Sequence, residues 1–217
     1  GGNVGEYSAA EMSQYYVIVL VIATLAHTII HNDLSTFVRE GTLSQWLIRP
    51  MPFGWVVAAL ILARLIMLII PAVLIVGVVA LVDFSAIQPL LLSENLLSMA
   101  IVLPLGIIVA CCMNALIGFL SFWFIEIEGI YAGMILTLGF FSGMVLPVSL
   151  LPERMQSFGS MLPYHFVYTQ TVQAISGHSS EVLINTVMGQ LVWIFILAIL
   201  LAIVWRRGMR RFDAVGG

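Results

Sequence analysis

From Phe53 to Val82 the chain runs for roughly 30 residues with a single ionisable side chain, Arg64. As a helix that stretch is about 45 Å long, against a hydrocarbon core of about 30 Å. It is long enough to cross a bilayer with tilt, and Pro71 is expected to kink it locally. The whole chain shares this character: of 217 residues, 61% are hydrophobic and 9% charged. Mean hydropathy is +1.10, whereas soluble domains are about 45–50% apolar and about 25% charged. The sequence therefore predicts an all-α integral membrane protein, a helical bundle with several spans.

Four further spans are read at about 12–30, 96–124, 130–147 and 182–205. Pro104 is expected to bend the third of the five, and Gly133, Gly139 and Gly143 are expected to let neighbours approach the fourth closely. Residues 83–95 read as a short loop. The stretch 149–181 is too polar and too rich in proline to span, yet keeps helical order. Met155, Phe158 and Leu162 share one face. Beyond Pro163, Tyr164, Val167, Tyr168, Thr171, Val172 and Ile175 follow helical spacing up to a stop at Gly177. We read an amphipathic hairpin at, or dipping into, the membrane interface, within one transmembrane domain covering 1–217.

Arginine placement orients the bundle. All eight basic residues are arginine. With the C-terminal tail inside, six (Arg39, Arg49, Arg206, Arg207, Arg210 and Arg211) are cytoplasmic, Arg154 alone is outside, and Arg64 lies within a span. Five spans then put Gly1 outside, so six spans are expected in the full-length protein, the first of them preceding this sequence. Net charge, −3, says little about partners, and no nucleic-acid partner is expected. Adjacent Cys111 and Cys112 sit in an apolar run and read as small hydrophobes.

A polar island, 31–52, separates the first two visible spans. Asn32 and Asp33 can cap a short helix whose Leu34, Phe37 and Val38 share a face, and Gly41 can end it in the left-handed conformation. Thr42-x-x-Gln45 has the capping-box pattern for a second helix striped by Leu43, Trp46 and Leu47, which Pro50 and Pro52 keep from joining the next span. Periodicity leaves two readings open: a loop resting on lipid headgroups, or a bent docking element.

The island Arg39-Glu40-Gly41-Thr42-Leu43-Ser44-Gln45-Trp46-Leu47-Ile48-Arg49-Pro50 resembles the cytoplasmic segment of ABC-2 type exporter permeases, in their branch of about six spans. The resemblance continues through Phe141-Ser142-Gly143-Met144-Val145-Leu146-Pro147, Leu150-Leu151-Pro152 and Leu162-Pro163-Tyr164. It implies a transport subunit of a bacterial inner membrane, paired with a second copy or a related permease and driven by two separate ATPase subunits. The island would form coupling helices on those ATPases, with Asp33, Phe37, Arg39, Glu40, Gly41, Thr42, Leu43, Trp46, Arg49 and Pro50 as contact residues. The external hairpin would cap the exit route. ATP and Mg are expected on the partner, because this chain has no G-x-x-x-x-G-K-[ST] phosphate loop. The implied cargo is a hydrophobic or amphiphilic small molecule, drug-like, with lipid or glycan export as the alternative.

Other residues invite sharper readings. His27 and His31, four apart, would share a helical face and suit a metal, the mark of a membrane metalloenzyme; further ligands are needed, and His165 and His178 fall on the opposite side. Arg64 is a candidate functional charge, pairing with Glu126 or Glu128 or snorkelling to the inner surface. Glu126 and Glu128 lack a neighbouring nucleophile and read as a polar turn. Met134, Met144, Met155, Met161, Tyr131, Phe140 and Phe141 either pack or line a greasy path. An ion-coupled carrier would need acidic groups within the membrane, but Asp and Glu fall in loops or at span ends.

Overall fold

The computed structural model describes residues 9–176 and 179–215. Helix α1 (Ala9–Ala26) is followed by a break at 27–29, and then α2 (Ile30–Arg39) and α3 (Leu43–Leu47) turn at one end of the molecule. Helix α4 (Phe53–Val82) runs to the opposite end, where two 3-10 turns lead into α5 (Ser93–Phe119). After a further 3-10 turn, Leu120–Phe122, α6 (Glu128–Phe141) follows, then three short helices, α7 (Glu153–Gly159), α8 (Pro163–Val167) and α9 (Thr169–Ile175), and the long α10 (Ser180–Val215). No strand occurs among the described residues.

Four stretches are long and apolar enough to cross a membrane: Glu11–Arg39, Phe53–Val82, Asn95–Phe122 and Ser180–Phe212. The stretch expected to span at 130–147 is the shorter helix α6, 14 residues long, which ends at Phe141. Both α4 and α5 continue through their internal prolines, Pro71 and Pro104. The basic tail is not a separate strand of coil: α10 carries Arg206 to Arg211 as its own last turns.

Helix α5 is the pillar, packing against α10, α2, α9, α8 and α1. Two apolar cores lie along it. One gathers Ile18, Ile22, Val102, Val109, Tyr164, Val167, Val172, Ile175 and Leu197. The other joins Ile30, Leu34, Leu43, Cys111, Ala115, Phe119 and Phe122, with Trp205 stacked on Phe53 at 4.8 Å. Helix α4 packs on α1 and touches α2, and buries only Val56 and Ala72. In a bilayer most of its surface faces lipid or another subunit.

In the stretch read as an amphipathic hairpin, the face read as apolar packs on the bundle, with Tyr164, Val167, Tyr168, Thr171, Val172 and Ile175 all buried, while Met155, Phe158 and Met161 of its first part are exposed. Its second helix is also broken in two at Tyr168 (φ −106, ψ −79). The break is held by side chains. Phe166 O accepts from Thr171 Oγ1 at 2.8 Å and from Gln190 Nε2 at 3.0 Å, so a carbonyl lost to the helix ladder is satisfied from α9 and α10. Gly177, the expected stop, lies outside the described residues.

Of the three glycines expected to allow close approach, Gly143 does so, a Cβ there running into the side-chain oxygens of Thr169 and Tyr15, and the two in α6 do not. A Cβ on Gly133 would meet nothing within 4 Å, and one on Gly139 would meet only Met144 Sδ, at 3.6 Å. Gly143 lies beyond α6 in a turn with φ +88, where L-residues are disfavoured. A close approach also occurs at Gly118 of α5. A Cβ there would stand 2.8 Å from Leu34 Cβ and 3.0 Å from His31 Cα, so α2 lies directly against α5.

Candidate functional site

The α2–α3 elbow is the most elaborately anchored polar element among the described residues. It begins where α1 stops: Ile29 takes φ 51, the left-handed region, and α2 starts at Ile30 with no side-chain cap. Asn32 and Asp33 were expected to cap this helix, but they lie inside its first turn. Gly41 does take the left-handed conformation (φ 70) that separates α2 from α3. The expected capping box at Thr42 does not form. Thr42 makes no cap bond and its Oγ1 is buried without a partner, while Ser44 Oγ donates to Gly41 O at 2.6 Å.

The Asp33 carboxylate is engaged by Arg64. Arg64 Nη2 donates to Oδ1 at 2.8 Å and to Oδ2 at 2.9 Å, and Nε donates to Oδ2 at 3.1 Å. Arg64 thus pairs with neither Glu126 nor Glu128, the partners the sequence suggested, and its planar fork matches the carboxylate geometry. Arg64 stands roughly 16 Å along α4 from its start, well within a helix that overruns the hydrocarbon core. The pair ties the first turn of α2 to α4 and neutralises the Arg64 charge.

A second anchor is His31, 1% exposed. Its ring stacks on Tyr131 of α6 (centroids 3.7 Å, 22° between planes), Nδ1 lies 3.2 Å from Asn114 Oδ1 of α5, and Nε2 lies 3.9 Å from Glu128. The Tyr131 hydroxyl is in turn 3.4 Å from His27 Nδ1. His27 and His31 do not share a helical face, because the chain breaks between them; His27 is exposed and His31 buried. Among the described residues no group of three or more His, Cys, Asp or Glu could hold a metal. His178 lies outside the described residues.

The elbow is held from behind and open in front. Leu43, expected to meet a partner, is fully buried. Trp46 packs on Phe37 and carries Arg49 over its ring at 4.1 Å, a cation–π contact. Glu40, Ser44, Gln45, Leu47, Ile48, Arg49 and Pro50 are exposed, Ile48 at 84%. Beside this ridge a cleft of about 510 Å³ brings Arg39 and Gly41 together with Phe122 and with Arg211 and Phe212 of α10. Arg39 Nη1 also donates to Ile125 O at 3.4 Å. The two arginine groups used to orient the chain are thus neighbours at one end of the fold.

The proposed greasy path is not assembled as one lining. Tyr131 is stacked on His31, Phe141 meets Phe158 edge-on at 5.3 Å, and Met161 is 72% exposed. Sequence reading missed Asn114 and Gln190, both fully or nearly fully buried. Their only signal was an amide alone in an apolar run, which within a membrane usually marks a specific partner.

Four helical stretches able to cross a membrane, with a polar elbow tied to them, make an all-α multi-pass membrane bundle. The chain belongs to the ABC-2 family: the family model described as ABC-2 family transporter protein matches residues 1–216. No curated protein and no solved structure matches it.

Proposed function

We propose that this chain is the permease subunit of an ATP-driven exporter, with the α2–α3 elbow as the element that receives force from a separate ATPase. The observation that carries this reading is the elbow's construction. Its back is fixed to α4 by Asp33–Arg64 and to α5 and α6 by His31, while its front presents Leu47, Ile48 and Arg49 uncovered. A contact made on the front is delivered to three helices at once. Arg39, Glu40, Gly41, Trp46, Arg49 and Pro50 are the proposed contact residues; Asp33, Phe37, Thr42 and Leu43 act from behind, as its supports. Two ATPase subunits, carrying ATP and Mg, would act on two permeases. The elbow and the C-terminus of α10 would then face the cytoplasm, across a bacterial inner membrane.

The proposed cargo is a hydrophobic or amphiphilic small molecule. An apolar crevice of about 430 Å³ between α1 and α4, lined by Val21, Leu25, Ile69, Val73 and Val76, supports that class. The test is the coupling of the reconstituted transporter with its ATPase. Arg49→Glu places a like-for-unlike charge on the exposed ridge without touching the core. It should leave insertion unchanged, lower the unfolding temperature by no more than about 4 °C through loss of the Trp46 contact, keep ATP hydrolysis, and reduce transport per ATP at least tenfold. Unchanged coupling, or full transport by the chain alone, would sink the proposal.

A further inference from the structure

The cleft beside the elbow has two basic walls and an apolar floor. Arg39, the last residue of α2, stands on one side and Arg211, near the end of α10, on the other, with Val38, Phe122, Ile125 and Phe212 between them. Its volume, about 510 Å³, falls within the range of small-molecule sites, about 300–1,000 Å³. The lining contains no Asp or Glu. Glu40 and Glu126 adjoin it in the chain, but both are exposed and outside the lining.

Both walls are fixed by close packing. At Gly118 a Cβ would stand 3.0 Å from His31 Cα, so α2, which ends in Arg39, lies directly on α5. At Gly208 a Cβ would run into the Phe122 ring, so the last turns of α10 lie directly on the floor of the cleft. Phe122 also meets Phe212 edge-on, with centroids 6.2 Å apart. Two guanidinium groups from opposite ends of the sequence are thereby held over one apolar surface.

Their donors are largely unused. Arg39 makes one long hydrogen bond, from Nη1 to Ile125 O at 3.4 Å, and among the described residues neither arginine enters an ion pair. Each guanidinium carries five N–H groups. The hydroxyls of the lining donate to the backbone instead, Ser44 to Gly41 O and Ser121 to Gly118 O, both at 2.6 Å. What the cleft offers a ligand is positive charge and forked donors above a hydrophobic floor, which matches a phosphate joined to an acyl chain. Depth selects the source of that phosphate. On a spanning helix the first charged turns past the apolar run stand among the lipid headgroups, and in α10 those turns are Arg206 to Arg211.

We propose that the cleft binds one anionic phospholipid, its phosphate held between Arg39 and Arg211 and an acyl chain laid along Phe122, Ile125 and Phe212. The lipid then bridges the elbow and α10. This goes beyond the exporter reading and does not depend on it, since the binding needs neither ATP nor an ATPase.

The experiment is native mass spectrometry of the purified full chain in dodecyl maltoside, titrated with phosphatidylglycerol or with phosphatidylcholine of the same chain length. The wild type should bind the first phosphatidylglycerol about tenfold more tightly than phosphatidylcholine. Arg39→Gln/Arg211→Gln should lose that preference. Arg211→Gln alone, an exposed change near the end of the last helix, should weaken it about threefold. Arg206→Gln/Arg207→Gln removes the same charge outside the cleft and should keep it. Glycerol 3-phosphate, the head without its chains, should not displace the lipid at equal concentration. Equal loss in the two double variants would mean a diffuse attraction of lipid to the whole basic end. Displacement by glycerol 3-phosphate would mean an anion site indifferent to lipid, and no preference in the wild type would leave the cleft to an acidic segment of a protein partner. Each of these three results would overturn the proposal, and none of them bears on the coupling test above.

Discussion

Arg64→Met is expected to lower the unfolding temperature by about 4–8 °C, and Asp33→Asn by a similar amount, while the double reversal Asp33→Arg/Arg64→Asp recovers most of the loss. Removing either partner leaves the other charge without its counter-charge. Breaking a fully buried pair costs about 3–5 kcal/mol. Here the side chains are 39% and 23% exposed in the isolated chain, so a value near 2 kcal/mol is the better expectation. The measurement is thermal unfolding in detergent followed by near-ultraviolet circular dichroism. Single variants as stable as the wild type, or a reversal no better than either single, would show that the pair contributes nothing to the elbow's anchorage.

Gly118→Ala should also destabilise, against the usual direction for a helix interior. Exchanging glycine for alanine in a helix favours the folded state by about 1 kcal/mol through backbone entropy. At Gly118 the added methyl would stand 2.8 Å from Leu34 Cβ and 3.0 Å from His31 Cα. Neither atom is the end of a flexible side chain, so α2 must move off α5. Overpacking of this kind costs about 1–3 kcal/mol, and the larger Gly118→Val should cost more. Because the displaced helix carries both His31 and Asp33, transport per ATP should fall together with stability. A Gly118→Ala protein more stable than the wild type would mean that α2 has room the geometry denies it.

What could be read from the sequence was whatever is local. The long apolar runs, the left-handed Gly41 and the start of α4 after Pro52 each depend on a few neighbouring residues, and all three appear in the structure. The pairing of Asp33 with Arg64 joins positions 31 apart, and nothing in either helix's periodicity selects that partner over Glu126 or Glu128. Capping went wrong for a related reason. Ser44 satisfies the carbonyl of Gly41, Arg64 takes Asp33, and tertiary packing buries the Thr42 hydroxyl. At the other end of the bundle, the amphipathic spacing of Tyr164 to Ile175 showed which face is buried. It could not show that Gln190 enters from α10 to hold a break at Tyr168.

The apolar, largely uncovered surface of α4, which buries only Val56 and Ala72, bears on how the protein is made. Translocon scales assign a central arginine a penalty of about 2.5–3.5 kcal/mol, and each Leu, Ile, Val or Phe a gain of about 0.3–0.6. Helix α4 has more than a dozen of these apolar residues, so it can leave the translocon as an independent segment with Arg64 still unpaired. The ion pair is then a product of later folding, formed when the already inserted α4 and the elbow close on one another. Its loss should register in how the inserted helices pack, and hardly at all in how much of the chain reaches the membrane.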